Sequence, residues 1–370
     1  MDAQRQPKCP LGLVRPMDPR QQEGEPPIAE RLRAVRRALP LLQRLAERRS
    51  IFDVYAGHLL IAFFLIGTTS RSVTIRRQAL RIGCERARHW AGRWHRTRRR
   101  LNADTVVDEL GASYAAAGMG IEQPHIRREL AAVIARYSPR ELLYFDPRFE
   151  GPPADVPDDC DEGHLNEPGR RRCFRCRRHL QPRSKYDIWY YALTNAYFCE
   201  RYGIPLQARF IDVLRQLPRF RPYPNPGAPH YRDCVYAITH VVYTLSDYGR
   251  ARLSPRALPA ELRFLRTSMP WALEQQEPDT VGEIVDSLSA CGVRDDDPLL
   301  RRGRRFLLQT QHADGGWGDD DDDYGRFHSI WAAIDGLRDY RWRPARLSRT
   351  VRRALRVVGR ARQPNHEHQR

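Results

Sequence analysis

Four apolar stretches in the second half of the chain begin at even intervals, and that spacing restricts the fold more than any other feature. YDIWYYALTNAYFCERYG starts at Tyr186, YRDCVYAITHVVYTLSDYG at Tyr231, DTVGEIVDSLSACG at Asp279 and FHSIWAAIDGLRDY at Phe327, so the starts are 45, 48 and 48 residues apart. A fixed period of that length marks one helical unit laid down repeatedly, each too small to bury its own apolar face. Each is followed by a segment with Arg and Glu on one side, at 206–217, 257–273, 299–311 and 347–358. Helices apolar all round belong inside, and helices with one polar face belong outside. Apolar stretches opening at Ile51 and Asp104 extend the inner set to six, and amphipathic segments at 28 to about 48 (interrupted at Pro40), 73 to about 94 and 126–137 extend the outer one. No run of period two competes, so the expected fold is all-α. Six inner and six outer helices in alternation make an α/α toroid around a central cavity, or an open solenoid with a concave face.

The segment 306–337, FLLQTQHADGGWGDDDDDYGRFHSIWAAIDGL, joins the last two units. A helix ends near Gln311, and the turn at Asp314-Gly315-Gly316 offers glycine where a helix exit wants positive φ. The spacing of Phe306-Leu307, Gln311, Gly315 and Trp317 resembles the QW repeat of squalene and oxidosqualene cyclases, seen in looser form in protein prenyltransferase β subunits. In that family the Gln and Trp tie the end of an outer helix to the start of the next inner one. The resemblance implies closure into a toroid and an enzyme acting on a hydrophobic substrate, such as an isoprenoid, in the central cavity. The competing reading is a non-catalytic toroid or solenoid that binds a protein or nucleic acid through an Arg-rich surface.

Between the second and third units, residues 146–183 are rich in Pro, Asp and Arg and lack a helical stripe. Cys173 and Cys176 form a Cys-x-x-Cys pair with Cys160 upstream, a spacing that lets thiolates converge on tetrahedral zinc. With Gly163, Asn166 and Gly169, the stretch resembles a zinc ribbon in which Glu162 stands where the second cysteine belongs. The fourth ligand to a structural zinc is then Glu162 by register or His164 by chemistry, unless zinc has been lost and the loop persists. The expected organisation is a disordered tail at 1–26, helical pairs at 27–145, this insertion at 146–183, further pairs at 184–360 and a second disordered tail at 361–370.

Ionisable groups on inner helices have little reason to be there unless they cap a helix or face a cavity. Asp53, Asp108, Asp187 and Asp233 sit near inner-helix starts, with Glu283 and Asp286 in the fifth helix and His328 opening the sixth. Asp233 and His240 are seven apart and share a helical face. Asp233, His240, Asp286 and His328 are the expected catalytic set, as metal ligands or an acid and base pair, with Trp189, Tyr190, Tyr236, Tyr243 and Trp331 as aromatic lining that suits a carbocation. His328, with Trp331 and Gly336-Leu337 behind it, is similar to the zinc-binding His of prenyltransferase β subunits; Asp286 with Cys291 is a poor stand-in for their Asp-x-Cys. The run from Asp319 to Asp323 is similar to the Asp-x-Asp-Asp acid motif of class II cyclases, but in a loop rather than at an inner-helix start. It reads as a solvated acidic loop.

Net charge is +18, and only Lys8 and Lys185 among 63 basic residues are lysine. Arginine at that ratio, beside abundant Ala, Pro and Gly, points to a GC-rich genome more than to a dedicated nucleic-acid binder. No run of 18 apolar residues and no secretory pattern stands in the sequence, so the expectation is a cytoplasmic protein without a membrane span.

Overall fold

A computed structural model of the chain describes residues 24–154, 156–157, 172–173, 176–177, 180, 182–204, 206–318 and 323–344. The described residues are mostly helical, as the apolar periodicity requires. In chain order the helices are α1 (Ile28–Glu47), α2 (Arg49–Thr69), α3 (Val73–Gly92), α4 (Trp94–Thr97), α5 (Ala103–Gly118), α6 (Pro124–Ile134) and α7 (Pro139–Leu143). After the insertion come α8 (Lys185–Tyr202), α9 (Phe210–Leu214), α10 (Tyr231–Leu245), α11 (Pro259–Glu274), α12 (Pro278–Ala290), α13 (Pro298–Gln309) and α14 (Asp323–Leu337). Two-residue strands β1 (Val156–Pro157) and β2 (Pro182–Arg183) pair antiparallel at the ends of the insertion, and β3 (Ala251–Arg252) and β4 (Arg343–Pro344) pair parallel.

Local chemistry sets the helix starts. Ser72, Ser184 and Asp297 accept backbone N–H bonds at the first turns of α3, α8 and α13, and proline opens α6, α11, α12 and α13, where its missing N–H costs nothing. The break expected at Pro40 does not occur: α1 runs through it, because Leu39, Leu41 and Leu42 on either side are buried. Burial of those side chains outweighs the one backbone bond that proline forfeits. The outer helix expected at 206–217 is also shorter than its pattern suggested. It is reduced to α9 and a 3-10 turn at Leu217–Phe220, since Pro218, Pro222 and Pro224 withhold donors from any longer helix.

The six apolar helices pack in order, α2 on α5, α5 on α8, α8 on α10, α10 on α12, α12 on α14, and α14 back on α2. Backbone bonds stitch the last contact, Arg71 N–H to Asp339 O (2.7 Å) and Arg341 N–H to Thr69 O (2.8 Å). The amphipathic helices lie across these: α1 on α2 and α14, α3 on α2 and α5, α6 on α5, α9 on α8, α11 on α10 and α12, α13 on α12 and α14. Trp189 and Trp331 fall on α8 and α14, both members of the inner set. α2 is long and apolar enough to cross a membrane by length and composition, and here it packs against α1, α3, α5 and α14.

The Gln311 to Trp317 turn is a junction. Trp317 is fully buried and donates Nε1–H to Leu307 O in α13 at 2.7 Å, while Gln311 Nε2 bonds Gly315 O (2.8 Å) and Ala34 O of α1 (2.9 Å). Gly315 holds φ at 95°, where a side chain would be strained. The tie to the inner helix comes from Arg326 in α14, bonded to Gly318 O (2.8 Å) and Asp314 Oδ2 (2.6 Å). The outer segment expected at 347–358, Asp319 to Asp322, Cys160, Glu162, His164, and the tails at 1–23 and 361–370 lie outside the described residues.

Candidate functional site

All six inner helices contribute to one cavity of about 800 Å³. Four of its residues come from one stripe of α12 and its neighbour. Asp279, Glu283 and Asp286 follow one another at four and then three residues, which sets them on one helical face. Across from them α14 presents His328. One ligand atom from each of Asp279, Glu283 and His328 lies within 4.8 Å of the others.

His328 Nδ1 is 2.8 Å from Asp279 Oδ1, and its Nε2 is 4.0 Å from Glu283 Oε1. Tyr236 donates its hydroxyl to Asp279 Oδ2 at 2.6 Å, and Thr239 donates to Glu283 Oε2 at 2.5 Å. Both carboxylates are therefore held on one oxygen and face His328 with the other. The electrostatics divide them. Burial opposes ionisation of Asp279, but the His328 charge and the bonds from His328 and Tyr236 hold its carboxyl below the usual range. Burial, reinforced by the Asp279 charge, pushes Glu283 up to about 8. Burial likewise works against a charged His328, yet Asp279 and Glu283 lift it to about 9. These directions favour an Asp279–His328 ion pair beside a protonated Glu283.

His240 on α10 behaves in the opposite way. Its Nδ1–H donates to Tyr236 O at 2.8 Å, which leaves the lone pair on Nε2, and Nε2 has no hydrogen-bond partner among the described residues. Burial pushes the imidazole down to about 4, so it is neutral at pH 7. The Tyr190 ring lies over it with centroids 4.6 Å apart. His58 on α2, 3.9 Å from Asp108, is pushed to about 4 by burial and by the charges of His328 and His240. Farther along α12, burial and the charge of Asp335 push Asp286 up to about 8; Asp335 is itself paired with Arg338 at 2.6 Å.

Asp233, His240, Asp286 and His328 all line the cavity, as their positions on inner helices suggested. They do not form one cluster. Asp233 is partly exposed and bonds His230 at 3.2 Å, and Asp286 belongs with Asp335 and Arg338. Asp279 was missed as a site residue, and Glu283 was noticed without a role. The available signal was their spacing of four on a helix too apolar to need them, one repeat before His328. Asp53 bonds Arg49 and Arg93 and does not reach the cavity. Asp187 stands in the first turn of α8, where its backbone N–H donates to the Ser184 cap, and its carboxylate pairs with Arg183 at the cavity's edge. In the insertion, Cys173 is buried and accepts the Cys176 amide on its sulfur at 3.5 Å, an arrangement compatible with a Cys-x-x-Cys knuckle.

The family profile of a domain of unknown function (DUF6895) matches residues 224–330, from just before α10 to the middle of α14. That span contains Asp233, His240, Asp279, Glu283, Asp286 and His328, and neither α2 nor α5. Comparison with curated proteins and with solved structures found no match.

Proposed function

We propose that the chain is an enzyme of the α/α toroid type and that Asp279, Glu283 and His328 are its reactive centre. The observation that carries this reading is the convergence of two carboxylates and an imidazole, each braced from behind, on a cavity bordered by six inner helices whose contacts run in a cycle. A folded chain gains nothing in stability by burying such a cluster. Opposed shifts in neighbouring groups are what acid and base work needs: Glu283 and His328 hold protons at pH 7, and His240 offers a lone pair.

The same donor set fits a divalent cation of the zinc or manganese kind, with Tyr236 and Thr239 as the outer supports that orient ligands. Bound there, such an ion would act as a Lewis acid. Asp279, Glu283 and His328 would hold it, and His328 would give up its proton to do so. A structural zinc on Cys160, Cys173 and Cys176 with Glu162 or His164 is a separate proposal. The substrate we infer is amphiphilic: its hydrophobic part, isoprenoid in the cyclases and prenyltransferases that the Gln311–Trp317 turn resembles, lies on Ile61, Leu65 and Phe198, and its polar or positively charged part lies at the acidic wall.

Metal analysis separates these claims. Chelator-stripped protein reloaded with zinc or manganese takes up about one equivalent that His328→Ala and Glu283→Gln abolish and Cys173→Ser leaves intact. A further equivalent of zinc, lost in Cys173→Ser and Cys176→Ser, would belong to the insertion. No uptake at the cavity leaves only the acid and base reading. That reading fails in turn if neither farnesol nor farnesylamine raises the melting temperature of the wild type.

A further inference from the structure

The surplus positive charge is concentrated. The basic stretch 341–362, with nine arginines and no acid, lies mostly outside the described residues, whereas residues 71–100, all described, hold eleven arginines against one acid, Glu85, a net of +10. An arginine-rich composition raises arginine everywhere, but it does not remove acids from one segment. The stretch folds as α3, α4 and a 3-10 turn at Arg98–Arg100, with its apolar side against α2 and α5. Arg77, Arg88, Arg96, Arg99 and Arg100 are exposed and have no acid partner among the described residues. α1 lies alongside, joined through Arg81 to Gln43 at 3.5 Å, and adds exposed, unpaired Arg33, Arg36 and Arg44. Some outer arginines elsewhere are answered, Arg266 by Asp297 (2.7 Å), Arg294 by Asp296 (2.5 Å) and Arg304 by Asp295 (2.9 Å), whereas Arg252, Arg256, Arg263 and Arg302 are exposed without an acid partner among the described residues and supply a control set.

We propose that the α1 and α3 face binds the phosphate backbone of double-stranded nucleic acid without regard to sequence. α3 alone is about 30 Å long at ~1.5 Å per residue, close to one turn of a duplex, which carries a negative charge every ~1.7 Å of axis. A single strand would want stacking platforms, and the face exposes no large aromatic ring. An anionic membrane would want apolar residues to insert, and the large apolar residues exposed on α1 and α3 are Ile28 and Val73, each at a helix's first position. What remains is a row of guanidiniums, which positions a phosphate ribbon and reads no bases.

The experiment is fluorescence anisotropy of a labelled 24-base-pair duplex of arbitrary sequence with the full chain between 50 and 200 mM salt. Binding should weaken with a log–log slope of about −4 or steeper, the value for roughly five phosphates neutralised. Arg77→Glu, Arg88→Glu, Arg96→Glu and Arg100→Glu together should weaken binding at least ~10-fold and flatten that slope. The milder pair Arg96→Ala and Arg100→Ala, outside α3, should show the same trend with an unchanged melting temperature. A control with the same charge change, Arg252, Arg256, Arg263 and Arg302 to Glu, should keep at least half of the binding energy. Equal loss in both sets would mean diffuse attraction and overturn the proposal. So would the absence of duplex binding at 100 mM salt, or tighter binding to phosphatidylserine vesicles than to the duplex.

Discussion

Two inner pairs, α2 with α5 and α12 with α14, solve the same packing problem and then diverge. In both, a glycine lets backbones meet: a side chain at Gly57 would strike the carbonyl of Asp108, and one at Gly282 would strike the backbone of Ala332 and Ala333. In both, the flanking core is fully buried. Toward the cavity the first pair presents Ile61, Leu65, Val107 and Gly111, with His58 and Asp108 to one side. The second presents Asp279, Glu283, Asp286, His328, Trp331 and Asp335. Helix pairing therefore does not require the charges of α12 and α14, because the α2–α5 pair manages without them. A cavity with one apolar wall and one ionisable wall orients whatever enters it.

The largest effect should come from breaking the feature the two pairs share. Gly57→Ala and Gly282→Ala put a methyl group into backbone that cannot turn aside, and each should cost about 2–3 kcal/mol in urea unfolding. Gly111→Ala meets only the end of the Ile61 side chain, at 3.0 Å, and should cost under about 1 kcal/mol. If Gly282→Ala proves as mild as Gly111→Ala, the close approach of α12 and α14 is not what holds that wall.

Next in size is a change that sets the walls apart. His328→Ala leaves Asp279 charged and buried without its cationic partner, and should destabilise by roughly 3 kcal/mol. His58→Ala on the apolar wall removes a neutral, partly exposed imidazole and should cost less than about 1 kcal/mol. Equal costs would mean that the Asp279–His328 pair is no more than a surface contact. Reversal of the order would mean the charged wall is strained in the unliganded protein.

The sequence carried the fold further than it carried the site. Period and apolarity identified all six inner helices, because stretches such as LLIAFFLIG must be covered on every side, and that need is written in each helix's own residues. Pro40 misled, since proline's local penalty is visible in the sequence and the compensating burial of Leu39 and Leu42 is not. The site was half legible for a related reason. His328 and Asp286 stand out as ionisable groups on apolar helices, but which of them meet depends on the rotation of α12 against α14. The two helices close on each other at Gly282, where a side chain would meet the backbone of Ala332 and Ala333, and a glycine has no chemistry to announce it. His240 was picked out by its helix, whereas the hydrogen bond to its own turn that frees Nε2 needed coordinates.

The smallest effect is the most specific to the charged wall, and it is read from pH. Glu283 has its carboxyl raised to about 8 in the folded chain, against an ordinary value of 4.5 when unfolded. A raised carboxyl binds its proton more tightly folded than unfolded, so its contribution to stability is complete below pH ~4.5 and is lost as pH rises through 8. Glu283→Gln keeps an acceptor for the Thr239 hydroxyl and has no proton to lose. With chelator present, wild type and variant should therefore unfold at similar temperatures near pH 4.5, and the variant should become the more stable by at least ~1 kcal/mol near pH 8. On the apolar wall, by contrast, burial keeps His58 neutral, and its contribution is lost instead as pH falls from ~6.5 toward 4. A difference between wild type and Glu283→Gln that stays flat from pH 4.5 to 8 would mean that Glu283 is ionised in the folded protein. The assignment of a neutral acid beside the Asp279–His328 pair would then be wrong, and with it the division of acid and base between Glu283 and His240.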